Sequence, residues 1–141
     1  MKRVATLLLS FVTVLLFVQP ARGSGDPKKL ESTPQAKAYL AQLAAVQAGD
    51  WGAYEKASTK KAFLTDEKLM KATKKTPKAM LTVISHMAPK EVTFTSLEVE
   101  GNKATLTASG MLDGAMNKGT IRILQEDGQW KVDGQSWSDA K

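Results

Sequence analysis

Two periods run through the 141 residues. Up to about residue 88 the apolar side chains return every three or four positions, the repeat of one helix face; from Glu91 they return every second position, the repeat of a strand. The changeover predicts helices first and sheet second. Thr33 supplies an N-cap oxygen and Pro34 a first helical residue with φ already set. Ala36, Tyr39, Leu40, Leu43 and Val46 then follow at helical spacing until Gly49. Asp50 caps a second, shorter helix in which Trp51 and Tyr54 share a face, weakened by Gly52. Thr65 followed by Asp66 and Glu67 predicts a third start, because the helix dipole favours carboxylates in a first turn. Thr76-Pro77 repeats the cap-plus-proline signal ahead of Met80, Leu81, Val83, Ile84 and Met87, and Pro89 ends that helix.

In the second half, Val92 and Phe94 alternate with Thr93 and Thr95, after which Leu97 and Val99 carry the apolar side onto odd numbers. That change of parity predicts a bulge near Ser96. Glu100-Gly101-Asn102-Lys103 reads as a hairpin turn, and Ala104, Leu106 and Ala108 then oppose Thr105, Thr107 and Ser109. Asp113-Gly114 together with Asn117-Lys118-Gly119 marks a second connection. Ile121 and Ile123 form the next strand, and Asp127-Gly128 turns the chain back through Trp130 and Val132 towards Trp137. The expected architecture is α+β: N-terminal helices packed on a curved four-stranded antiparallel meander sheet. Ala104 and Ala108 leave room on the inner face for a closely packed helix or for a pocket.

The first residues read as an address. Lys2 and Arg3 precede an apolar run over residues 4–18, then Gln19-Pro20 and the small-residue pattern Ala21-Arg22-Gly23. This layout predicts a secretory signal peptide over residues 1–23, cleaved after Gly23. The run is shorter than the roughly 20 residues that span a bilayer. Residues 24–32, rich in Gly, Pro and charge, are expected to be a flexible leader, and residues 33–141 a single domain. The expected destination is periplasmic or extracellular. Without cysteine there is neither a lipid attachment atom nor a disulfide, thiolate metal site or cysteine nucleophile.

Cleavage would lower the net charge from +6 to +3 by removing Lys2, Arg3 and Arg22, and what remains is uneven. Residues 56–90 hold nine lysines against Asp66 and Glu67, whereas residues 91–141 are net acidic. Lys68, Lys71, Lys75 and Lys78 would form one positive stripe on a continuous helix, suited to an anionic lipid surface or an acidic partner at a peripheral contact, or simply to water. Nucleic acid is not the expected partner: the basic stretch lacks Arg, has Phe63 as its sole aromatic residue and follows an export signal.

Gln47-Ala48-Gly49-Asp50-Trp51, the hairpin Val99-Glu100-Gly101-Asn102-Lys103-Ala104 and the ending Glu126-Asp127-Gly128-Gln129-Trp130-Lys131-Val132-Asp133 together resemble small secreted bacterial members of the nuclear transport factor 2-like superfamily, including its lumazine-binding-like domains. The resemblance covers nearly all of the chain after the signal. It implies a cone-like α+β domain around an apolar cavity and a tendency to form homodimers through the sheet. No match to the Asp-Arg-Asp or Tyr-Asp catalytic sets of the enzymatic branches is present, so no catalytic residue carries over.

His86 is the only imidazole. It is a candidate general base for a lyase or isomerase if it lies beside a carboxylate inside the cone, and otherwise a structural or exposed histidine. Trp51, Tyr54, His86, Met111 and Met116 are the candidate lining of a small cavity for an apolar ligand, or plain core. No metal-ligand spacing and no cofactor motif occurs, so neither is expected. The expectation is therefore an exported, non-catalytic binding or protein-interaction domain, with the His86 enzyme as its alternative.

Overall fold

The computed structural model describes residues 21–141. The charged and apolar parts of the predicted signal, residues 1–20, lie outside the described residues. Among the described residues five helices, α1 (Pro27–Glu31), α2 (Pro34–Ala48), α3 (Trp51–Ala57), α4 (Lys60–Ala72) and α5 (Pro77–Met87), precede the strands β2 (Lys90–Glu100), β3 (Lys103–Leu112), β4 (Ala115–Glu126) and β5 (Gln129–Asp139). The four long strands form an antiparallel meander, and a short β1 (Ala21–Ser24) pairs with β2 opposite residues 96–99.

The predicted caps act as expected. The side chains of Thr33, Asp50 and Thr76 accept from the backbone N–H three residues on, and Gly49 closes α2 in the left-handed region at φ 68°. Three hairpin turns carry Gly101, Gly114 and Gly128 at positive φ, two of them preceded by Asp113 and Asp127 with the same sign, as tight hairpins require. The ladder of β2 on β3 shifts register between Phe94 and Ser96, where the parity change placed a bulge.

Three expectations are corrected. Residues 24–32 are not a free leader: Asp26 caps α1, Pro27 opens it, and Leu30 is buried in the main core, an anchor whose burial contributes about 1.5–3 kcal/mol. The folded unit therefore begins ahead of Thr33. Thr65 does not start a helix, because Thr59 caps α4 six residues earlier; Thr65 lies mid-helix with its hydroxyl donating to the Lys61 carbonyl at 3.0 Å. Asn117-Lys118-Gly119 is no connection but the interior of β4, since the two-residue turn Asp113-Gly114 already reverses the chain.

The core has two parts. On the inner face of the sheet, Leu30, Ala36, Tyr39 and Leu43 meet Phe94, Ala104, Leu106, Ala108, Ile121, Ile123 and Val132. Ala104 and Ala108 are thus covered by close packing. The second cluster lies among the helices: Ala45 and Val46 of α2, Tyr54, Phe63, Met70, and Met80, Leu81 and Ile84 of α5. Helix α5 packs mainly on α2 and α3. That arrangement holds its C-terminal end away from the inner core and opens a cleft.

Candidate functional site

The cleft, of about 640 Å³, lies between the helical layer and β5. One wall comes from α4 and α5 through Lys61, Thr65, Asp66, Ile84, His86 and Met87; the other comes from β5 through Val132, Asp133, Gln135 and Trp137, with Leu112 and Asp113 at its end. Its size falls within the roughly 300–1,000 Å³ of small-molecule sites. Its lining is amphipathic, not simply apolar.

Each wall is fixed by contacts distant in sequence. The linker between α3 and α4 bridges to β5: the Thr59 N–H donates to the Val132 carbonyl at 2.8 Å, and its hydroxyl donates to the Asp133 carboxylate at 2.8 Å. Next to it, Gln42 donates through Nε2 to the Ser58 hydroxyl at 2.9 Å, and Ser58 donates to the Tyr54 carbonyl at 2.7 Å. Ser58, Thr59 and Gln42 are buried, yet among the described residues no buried side-chain polar atom lacks a partner. The ladder slips between Arg122 and Ile123, which pair with Gly134 and Val132, so Asp133 is the extra residue of a bulge and can turn towards Thr59.

Trp137 lies flat against Gly119, where any Cβ would collide with the indole. Its Nε1–H donates to Gln135 Oε1 at 2.9 Å, and the same oxygen accepts from the buried Tyr39 hydroxyl at 2.8 Å, tying the cleft wall to the core. Gly134 does similar duty for Arg122, whose guanidinium occupies the space a side chain there would need. Arg122 is exposed, comes from the outward row of β4, and reaches the cleft across that gap. Neither Arg122 nor Lys61 has an ion-pair partner among the described residues.

On the helical side the Tyr54 hydroxyl donates to Asp66 Oδ2 at 2.7 Å. Burial pushes the Asp66 carboxyl above its ordinary 3.8, with the Tyr54 bond opposing that rise. Burial first, and then the hydrogen bond to and charge of Asp66, push the Tyr54 phenol upward as well. The pair can hold a proton in a half-enclosed polar corner.

A second cleft of about 470 Å³ adjoins the first. Leu43, Val46, Ala88, Pro89, Met111 and Leu112 give it a more apolar wall, and His86, Leu112 and Asp113 border both spaces.

Of the residues singled out from the sequence, Tyr54 and His86 border the main cleft, and His86 and Met111 the second. Trp51 instead stacks between rings, 5.6 Å from Tyr54 and 5.1 Å from Phe63, within the helical core. Met116 is exposed, since its place beside the Asp113-Gly114 turn leaves nothing above it. His86 is exposed and makes no hydrogen bond or ion pair among the described residues. The lysine stripe is broken: α4 ends at Ala72, Lys74 turns the chain at φ 53°, and Lys75 lies in the connection ahead of Lys78 on α5. Lys68 and Lys71 remain on α4, where Lys71 pairs with Glu67 at 3.2 Å.

Sequence reasoning missed Asp66, Arg122, Asp133, Gln135 and Trp137 as cleft residues, and Thr59 as the residue that ties α4 to β5 behind them. One signal was present: Arg122 is the only arginine after Arg22, planted in a strand between two isoleucines. Comparison with family models, curated proteins and solved structures finds no match for this chain.

Proposed function

We propose that this is an exported, non-catalytic binding domain that holds a small organic molecule in the cleft between α4, α5 and β5. The observation that carries this reading is the construction of the cleft walls. Gly119 leaves the space that the Trp137 ring fills, the Arg122 guanidinium lies over Gly134, and both walls are pinned by partly buried hydrogen bonds. Preorganised walls limit the ordering cost of binding. The exposed, unpartnered His86 favours binding over His86-dependent catalysis.

A cone of the nuclear transport factor 2-like kind is the finer fold we propose. Helices on one face of a bulged meander and a cleft at its β5 margin support it. The homodimer implied by that resemblance would use the outer row Thr105, Thr107 and Thr120. Export rests on residues 1–23, and any membrane contact is proposed to be peripheral; among the described residues no helix is long and apolar enough to cross a bilayer.

Titration with anilinonaphthalene sulfonate, an aromatic body bearing an anion, tests the cleft. The expected result is saturable one-to-one binding with energy transfer from tryptophan, reduced by Trp137→Phe and weakened by Arg122→Gln. A folded protein that gives no saturable signal overturns the proposal.

A further inference from the structure

We infer that the ligand is a single-chain amphiphile with an anionic head, lying along both clefts; this rests on the binding reading above. The two spaces are consecutive, sharing His86, Leu112 and Asp113, and their chemistry differs from end to end. Apart from those shared residues, the first cleft is lined by Lys61 and Arg122, cations with no ion-pair partner among the described residues. The acids beside them are engaged: Asp66 accepts from Tyr54 and is held towards its neutral form by burial, and Asp133 accepts from Thr59. An anionic head therefore meets two free cations, while the nearby carboxylates already have donors.

The second cleft supplies the tail. Leu43, Val46, Ala88, Pro89 and Met111 form a wall of aliphatic and thioether groups, with Lys90, Glu91 and Asp113 exposed at its rim, where the two acids outnumber the lysine. Leu112 continues that surface into the first cleft, towards Met87 and Ile84. A compact ligand would fill one space and leave the other wet; a chain bearing one charged end matches the polarity of the whole path.

Calorimetric titration with octanoate, dodecanoate and dodecyltrimethylammonium, each below its critical micelle concentration, separates the possibilities. Dodecanoate is expected to bind one-to-one, tighter than octanoate by about fourfold for each added methylene that reaches the second cleft. The cationic amphiphile is expected to bind about tenfold or more weakly than dodecanoate. Met111→Glu should erase the gain from octanoate to dodecanoate. Lys61→Gln, an exposed substitution compatible with folding, and Arg122→Gln should each narrow the preference for the anionic head. Equal binding of the two carboxylates overturns the two-cleft path, and tighter binding of the cation overturns the anionic head. Binding of anilinonaphthalene sulfonate without any dodecanoate binding refutes this inference alone, whereas failure of both probes removes the cleft reading as well.

Discussion

Replacing Thr59 with valine keeps shape and volume but deletes one hydroxyl that joins two parts of the chain. That oxygen accepts from the Ala62 N–H at 3.2 Å, capping α4, and donates to Asp133 at 2.8 Å, holding α4 to the bulge of β5. The cap is worth about 1 kcal/mol. The bond to a carboxylate is worth about 1.5–3 kcal/mol when enclosed; Asp133 is half-buried and can recover water, so the lower end applies. The valine should therefore destabilise the protein by about 2–3 kcal/mol, a drop in Tm on the order of 10 °C for a domain of this size. Thr59→Ser should recover most of the loss. A double-mutant cycle with Asp133→Ala, read by urea unfolding, should give a coupling of about 1 kcal/mol or more. Because α4 carries Lys61, Thr65 and Asp66 into the cleft, Thr59→Val should also weaken binding of anilinonaphthalene sulfonate. A loss under about 0.5 kcal/mol, or strict additivity with Asp133→Ala, would refute the claim that this hydroxyl joins the helical layer to the sheet.

Three further outcomes follow from the same geometry. Gly119→Ala drives a methyl into the Trp137 ring; it should cost about 1–3 kcal/mol and shift the tryptophan emission, and an unchanged spectrum and Tm would mean that the indole is not seated there. Since the Asp66 carboxyl is raised above 3.8, the folded chain binds that proton more tightly than the unfolded one. Stability from this group is then fully present below about pH 3.8 and falls as pH climbs through the raised value. Urea unfolding of Asp66→Asn at acid and neutral pH should show this decline removed, and Tyr54→Phe, which deletes the bond that opposes the shift, should move the Asp66 titration seen by NMR still higher. His86→Ala should change stability by less than about 0.5 kcal/mol, as expected for an exposed side chain with no partner among the described residues; a larger loss would refute that placement.

Local chemistry was legible wherever it had no competitor. Thr33-Pro34, Asp50 and Thr76-Pro77 announced three helices because a capping oxygen acts within three residues of itself. The Asp26-Pro27 pair carried the same signal for α1 and was hidden by the mobile composition around it. Thr65 with two following acids looked like a cap as well, but Thr59 had both the Ala62 N–H and the distant Asp133 to hold it. The helix therefore started earlier, and Asp66 was left mid-helix, free to meet Tyr54. Among the lysines, spacing predicted a stripe only for a continuous helix, and the turn at Lys74 divided it.

The cleft was not legible, because its walls come from positions as far apart as Gln42 and Trp137 and depend on which glycine lies beneath which side chain. Gly119 and Gly134 resembled ordinary turn or strand glycines until register placed them opposite Trp137 and Arg122. By itself the sequence determined that helices precede the sheet, the caps of α2, α3 and α5, the three hairpin glycines and the inward face of the sheet, since periodicity and capping are properties of neighbouring residues. Tertiary structure alone decided where α5 stands off the sheet and which polar groups meet there, because those contacts exist only once segments distant in sequence have packed against one another.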